Sequence, residues 1–436
     1  MTTLETTISS SRLRRLIDAE LPELIAIRHD LHTHPELGYN EHRTSGVVQR
    51  ELGKVGVGFV AGLAAARDSS SGTVKNAGGG TGILAHIPGP PEGSSSESAR
   101  AIGLRADMDA LPITEETGAS YCSTNPGIMH ACGHDGHTTM LIGAARVLAK
   151  IAREEGSAWG GKSGVLPRPV TFIFQPAEEG GAGGRRMVEE GCLSGSVLGP
   201  PVGMVFGLHG WPVQRLGMVS TRVGPMLAAA DEIEIIVKGT GSHAAFPQIS
   251  ADPILCGSAI VQGLQQICSR NVSPLDSIVV SVTQFHGGTA HNIIPETVHL
   301  HGTVRTLLPE TQELAQRRIV EIAEGIASAH GCRAEVNYRL GYPITCNDPK
   351  AVAIFNSTAK RALGEDWVEE LAEPVMGGED FSFYCREVPA CFFTLGLLPK
   401  GQEVMPMLHQ PQFDFNDDAL ATGVEMFCRL AMGEQA

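Results

Sequence analysis

The sequence predicts an α/β protein, a mostly parallel sheet with flanking helices, into which a smaller ferredoxin-like α+β domain is inserted. Three observations point there. Short apolar runs alternate with longer helix-like stretches through the first half of the chain, the pattern of strands crossed over by helices. From about Ala228 that alternation changes to strand, helix, strand, strand, helix, strand, the order of a small sheet with two helices on one face. Finally, 436 residues are too many for one ordinary core, so two domains, or one carrying an insertion, are expected.

In chain order, "GTGILAHI" (80–87), "RAIGLRAD" (100–107), "PVTFIFQP" (169–176) and "MVFGLH" (204–209) read as strands, and "HTTMLIGAARVLAKIAREE" (137–155) reads as a helix. Two connections, "ARDSSSGTVKNAGGG" and "GPPEGSSSESAR", are rich in Ser, Gly and Pro and read as surface loops. The inserted domain is expected over 223–340, with strands within 230–239, 277–288, 296–306 and 333–341 and helices within 252–270 and 309–331. After it "ACFFTLG" reads as a buried strand and "NDDALATGVEMFCRLAM" as a helix capped by Asn416. The first domain is therefore expected over 11–222 and 341–436.

Composition narrows the function. Hydrophobic residues make up 42% and charged residues 19%, which is globular usage. A formal net charge of −15 leaves no strongly basic face for phosphates, so nucleic acid is excluded as a partner. No apolar stretch is long enough to span a bilayer, and the N-terminal residues carry no apolar run of the kind a secretory signal or anchor needs. Ten cysteines are scattered from Cys122 to Cys428 without a C-x-x-C pair, which suits a reduced compartment. Cytoplasm is the expected location, with an organelle reached by a removed presequence as the alternative.

The chemistry concentrates in four places. "HACGHDGH" (130–137) sets Cys132 and His134 either side of a glycine, thiolate and imidazole both being good ligands for zinc-class ions. Cys132 also reads as a nucleophile or as a cysteine packed under a loop, but a nucleophile needs a base at hydrogen-bond distance, which a loop neighbour two residues away rarely supplies. "FIFQPAEEGGAGG" places Glu178 and Glu179 after a buried strand, where α/β proteins bind ligands; adjacent side chains diverge, so one carboxylate can hold a metal while the other addresses water. His209 ends "VFGLH", and His409 lies in the Pro-flanked "PMLHQPQ". Taken singly, each has a structural reading. Together Cys132, His134, Glu179, His209 and His409 supply five N, S and O ligands after strands, enough for two adjacent ions.

These motifs, with "IRHDLHTHPELGYNEHRTS", "GLRADMDALPITE", "GSHAAFP", "AHNIIPETVHLHGTVRT" and "MGGEDFSFY", resemble in order and over nearly the whole chain the metal-dependent aminoacylase and carboxypeptidase family of di-metal peptidases. The likeness is to the subgroup of hippurate hydrolases, N-acetyldiaminopimelate deacetylases and plant auxin-conjugate amidohydrolases. It implies that 11–222 and 341–436 form a catalytic domain and that 223–340 is a lid and dimerisation domain. It implies the five ligands just named, with Glu178 as general base. The wider family has a His-x-Asp pair where this chain reads "RADMDAL", so Asp107 is not assumed to be a ligand, and Asp109 is expected to orient a ligating imidazole. His243, Asn292, Arg305 and Gly378 match substrate-holding positions, and an arginine fork suits the carboxylate of an N-acyl amino acid. His29 and His32 receive no metal role and are expected to pack against the site.

The expectation that follows is an amidohydrolase cleaving N-acyl-L-amino acids, with two divalent ions (Zn, Mn, Co or Ni) per subunit. Glu178 would move the proton and His243, from the partner subunit of a homodimer, would donate to the oxyanion. A carboxypeptidase acting on dipeptides is the alternative enzyme. A metal-binding regulatory or storage protein is the alternative outside enzymes, and it has no use for a general base.

Overall fold

The computed structural model describes residues 9–65, 79–90, 100–155, 164 and 166–433. The Ser- and Gly-rich stretches read as surface loops fall largely outside the described residues. The chain divides into two compact units, one comprising Met1–Gly224, Asn347–Ala372 and Phe383–Ala436, the other Pro225–Cys346 and Glu373–Ser382. The segment Glu373–Ser382, placed by sequence with the last part of the first domain, belongs to the second unit.

The first unit opens with α1 (Ser10–Thr33), α2 (His42–Lys54), β1 (Gly58–Leu63), β2 (Gly82–Ile87), β3 (Ala101–Asp107), α3 (His134–Glu155), β4 (Val170–Gln175), α4 (Gly183–Glu189), β5 (Val202–Arg215) and β6 (Val219–Thr221). The second unit follows, its first and last strands each sharing one end residue with the first unit, with β7 (Gly224–Leu227), β8 (Ala229–Lys238), β9 (Ser242–His243), α5 (Pro253–Gln266), β10 (Ile278–Gly287), β11 (Ile293–Ile294), β12 (Thr297–Thr306), α6 (Pro309–Ala329), β13 (Arg333–Tyr342) and β14 (Thr345–Asn347). The chain then runs through α7 (Pro349–Leu363), β15 (Val368–Glu370), α8 (Ser382–Cys385), β16 (Ala390–Leu398) and α9 (Leu420–Met432).

The first unit is built on a sheet of order β1-β2-β4-β3-β5-β16-β6-β15. Its centre, β4-β3-β5-β16, is parallel. Every residue of β3 and of β4 is buried, as expected of strands covered on both faces. On one face α3 packs against α1 and α9, and Met140, Leu141, Val424 and Phe427 join one continuous apolar core with Leu104 and Phe172 of the sheet. Asn416 does cap, accepting from the Asp418 amide at 3.1 Å, although a single 3-10 turn (Asp417–Ala419) intervenes before α9. Among the described residues no helix is long and apolar enough to cross a membrane.

Two local readings change. Helix α3 begins at His134 rather than His137, so His134 belongs to a first helical turn and not to a loop. His209 does not end its strand; β5 continues to Arg215 because β16 keeps pairing with it beyond the His209–Thr394 register.

The second unit is an antiparallel sheet of order β10-β12-β8-β13 carrying α5 and α6. Alternation along β8 and β12 sends Ile233, Ile235, Val237, Val298, Leu300 and Val304 into the core with Ile260, Leu264, Ile319 and Ala323 of the helices. Asp252 caps α5 by accepting from the Ile254 amide, and Pro253 takes the first helical position, where no amide hydrogen is needed.

Candidate metal centre

The five ligands expected from sequence converge in the first unit. The ligand atoms of Cys132, His134 and His209 lie within 4.8 Å of one another, as do those of Cys132, Glu179 and His409 and those of His134, Glu178 and Glu179. Cys132 is common to the first two groups. Its Sγ is 3.4 Å from His209 Nε2 and 3.3 Å from His409 Nε2, and His409 Nε2 is 3.2 Å from Glu179 Oε1.

Two of the three imidazoles, those of His134 and His209, are held by their other nitrogen. His134 Nδ1–H donates to the Asp109 carbonyl at 2.9 Å, with an Asp109 carboxylate oxygen at 3.3 Å, and leaves Nε2 buried without a hydrogen-bond partner among the described residues. His209 Nδ1–H donates to the Gly210 carbonyl at 2.8 Å, which turns Nε2 towards Cys132. Such bonds select the tautomer whose free nitrogen is a ligand. His409 is the most accessible member, its side chain 53% exposed, and its backbone sits in the left-handed region at φ 65°, tied through its amide to the Ala131 carbonyl at 2.8 Å. A non-glycine residue in that conformation is strained and commonly marks a functional position. Gly133, at φ 85°, makes the tight turn between Cys132 and His134, and a Cβ there would come within 3.1 Å of Phe415.

The electrostatics separate a metal site from a nucleophile. Burial pushes the Cys132 thiol well above its ordinary pKa, and the carboxylates of Glu179, Glu178 and Asp107 push it further. Nucleophilic cysteines sit in electropositive surroundings that favour thiolate. Here only a cation among those carboxylates would deprotonate the sulfur, which a coordinated metal does outright. His209 and His409 stand at hydrogen-bond distance from the sulfur, as a nucleophile would need, but burial and the surrounding carboxylates oppose a free thiolate and weigh against that reading. His209 is held neutral, its pKa lowered well below 6.5 by burial and by the neighbouring His137. An orphaned buried imidazole nitrogen, soft and borderline ligands, and adjacent carboxylates together fit divalent transition metals.

Glu178 and Glu179 follow β4 on a turn held by Asp109, whose two carboxylate oxygens accept the Glu178 and Glu179 amides at 3.0 and 2.9 Å. Asp109 thus does more than orient an imidazole, for it also seats the two glutamates. Asp107 has a different neighbourhood, accepting from Arg105 at 2.6 Å and from His137 Nδ1–H at 2.7 Å. His137, which the sequence reading passed over, accepts the Gly210 amide at Nε2, 2.8 Å away. Asp107, His134 and His137 are close enough to look like another metal group, but both ring nitrogens of His137 are already engaged. His137 ties β5 to α3 beside His209. The i, i+3 spacing of His134 and His137 on one helix face was the available signal.

His32 packs behind this region, its Nδ1 2.9 Å from Asp135 and its Nε2 3.2 Å from Glu115, while Arg28 pairs with Asp135 and Asp414 at 3.1 Å each. His29 stacks on Tyr121.

The four expected substrate-holding residues lie in the second unit. His243 and Asn292 come together through their backbones, the Ala244 amide donating to the Asn292 carbonyl at 2.9 Å beside the His243–Ile293 pair. Arg305 and Gly378 also meet: a Cβ on Gly378 would lie 3.0 Å from the Arg305 guanidinium and 2.7 Å from the Ala230 side chain. Burial lowers the Arg305 pKa, with Asp231 acting in the opposite direction, so this half-buried cation favours an anionic partner.

Comparison with known proteins places these observations in context. Residues 103–433 match the model of peptidase family M20/M25/M40. The chain is 38% identical to IAA-amino acid hydrolase ILR1-like 5 of Arabidopsis thaliana over 94% of its own length and 86% of that protein's. It is 36% identical to N-acetylcysteine deacetylase of Bacillus subtilis strain 168, covering 94% of this chain and 96% of that one. Among solved structures, a dinuclear metal binding peptidase of the M20 family from Bacillus subtilis superposes with a TM-score of 0.75 at 32% identity, over 95% of this chain and 98% of that one.

Proposed function

The chain belongs to peptidase family M20/M25/M40 and is a metal-dependent amidohydrolase, and from that premise we propose that it cleaves the amide of an N-acyl-L-amino acid to a carboxylic acid and the free amino acid. The observation that carries this reading is the group of ligand atoms gathered on Cys132 beside two glutamates seated on one turn. Relatives named for hydrolysing IAA-amino acid and for deacetylating N-acetylcysteine support the substrate class.

Cys132, His134, Glu179, His209 and His409 would hold two divalent ions, drawn from zinc, manganese, cobalt or nickel. When bound, such ions lower the pKa of water and polarise a carbonyl. Glu178 takes the proton of the attacking water and returns it to the departing amine, otherwise a poor leaving group. Asp109 keeps Glu178 and Glu179 in place throughout. Arg305, with Asn292 and the close approach allowed by Gly378, holds the substrate α-carboxylate in a forked pair. His243 donates to the developing oxyanion in the partner subunit's site. Exposed Phe246, Ile249, Leu255 and Ile293 on the second unit support a homodimer formed through it. Location in the cytoplasm accords with the many unpaired cysteines.

The test is a panel of acetyl, benzoyl and indole-acetyl amino acids, with dipeptides as competitors, assayed after chelation and after readdition of each metal. Chelation should abolish turnover and a divalent ion should restore it on the N-acyl substrates. Chelated enzyme that stays fully active, yet dies on thiol alkylation, overturns the metal reading; cleavage of dipeptides alone transfers the activity to a carboxypeptidase.

A further inference from the structure

Helix α2 is preceded by a fully buried carboxylate, Glu41, that makes no capping bond to its own helix. Instead its Oε1 accepts the Ala177 amide at 2.8 Å and its Oε2 accepts the Thr81 hydroxyl at 2.7 Å. Ala177 immediately precedes Glu178 and Glu179, whose amides go to Asp109. Three successive amides are therefore taken by two buried carboxylates, each from a different stretch of chain. Between them they hold Ala177 in the left-handed region, at φ 53°, where an alanine does not rest unaided. The surroundings are built for that conformation. A Cβ on Gly181 would come within 2.6 Å of the Ala177 Cβ, the Gly183 amide donates to the Ala177 carbonyl at 3.1 Å, and the Tyr39 hydroxyl donates to the Gly181 carbonyl at 2.5 Å.

We propose that Glu41 is a positioning residue, which with Asp109 aims Glu178 and Glu179 by fixing the backbone of the turn that carries them. The inference rests on the reading of Glu178 as the base and Glu179 as a ligand. Glu41 belongs to none of the groups of candidate metal-ligand atoms among the described residues. Burial and the nearby charge of Asp109 draw its carboxyl up to about 7, the bonds from Thr81 and Ala177 pull the other way, and its part in the turn is that of a hydrogen-bond acceptor.

Glutamine keeps that acceptor, since its carbonyl can take the Ala177 amide while its NH2 group donates to the Thr81 hydroxyl; alanine removes it. The experiment compares Glu41→Gln, Glu41→Ala and Glu178→Gln for kcat, KM and the visible spectrum of the cobalt-loaded protein. Glu41→Ala should lose about tenfold to a hundredfold in kcat, the cost of a misplacement near an ångström. Its KM should stay within about threefold, because no substrate contact is removed. Its cobalt spectrum should shift, since Glu179 moves with the turn, and Glu41→Gln should restore both readouts. A folded Glu41→Ala protein with wild-type kcat and spectrum overturns the inference, as does Glu41→Gln failing as badly as Glu41→Ala. If Glu41→Ala does not fold, Thr81→Val, which removes only the second anchor, decides in the same way: a spectral shift with reduced kcat supports positioning, and wild-type behaviour refutes it. Full activity in Glu178→Gln removes the underlying reading of the base, whereas an inactive Glu178→Gln beside an unaffected Glu41→Ala removes only the role of Glu41.

Discussion

Asp109 offers the sharpest test of how the centre is assembled, because one side chain is asked to serve two ligand elements. Its carboxylate accepts the Glu178 and Glu179 amides on separate oxygens, while its carbonyl, not its side chain, takes the shorter bond from His134. A buried amide left without an acceptor costs about 1–3 kcal/mol. Asp109→Ala strands two amides, so the metal-free protein should lose about 2–6 kcal/mol. Asp109→Asn keeps one acceptor oxygen but turns its NH2 group on the other amide, so the loss should be about 1–3 kcal/mol. In both variants the His134 tautomer survives, since the backbone carbonyl that selects it is unchanged. Metal affinity should nevertheless fall about 10- to 100-fold, the usual effect of removing a group that orients ligands. Urea unfolding of the metal-free proteins and cobalt competition against a chromophoric chelator measure the two quantities separately. Wild-type unfolding midpoints together with affinities within about threefold of wild type would show that the turn orients itself and that Asp109 is dispensable.

The two neighbouring glutamates should fail differently. Glu178→Gln is expected to keep its metal and lose about two to four orders of magnitude in rate, whereas Glu179→Gln is expected to lose the metal; equal metal loss by mass spectrometry in both variants contradicts the division of roles. Burial lowers the pKa of His32, but Asp135 and Glu115 on its two ring nitrogens override that and raise it from 6.5 to about 10. A group raised on folding stabilises fully below its ordinary pKa and loses that stabilisation as pH climbs to the folded value. The wild-type Tm should therefore decline between about pH 6.5 and 10 more steeply than that of His32→Gln, and parallel profiles would dismiss the charged histidine. Finally, mixing inactive His243→Ala and Glu178→Gln proteins under subunit exchange should restore activity, because a heterodimer then has one site free of both defects. Proven heterodimers without activity would place His243 in its own subunit's site.

Residue chemistry was legible before any coordinates. Cys132, His134, Glu179, His209 and His409 announce themselves by side-chain type and by position after apolar runs, and strand and helix order follows from periodicities of two and 3.6 that need only near neighbours. Sequence therefore determined the α/β class, the ferredoxin-like order of the second unit and the set of candidate ligands. It could not determine which nitrogen of each histidine is free, because that depends on what faces the opposite nitrogen. His137 stands within the same "HDGH" as His134, yet Asp107 and the Gly210 amide consume both its nitrogens while His134 keeps one bare. Nor could it show that Cys132 meets His409 across 277 positions, or that Glu41, unremarked in "GYNEHR", holds the turn before Glu178. Hydrogen-bond saturation and burial are properties of neighbours in space, and only the tertiary structure supplies those neighbours.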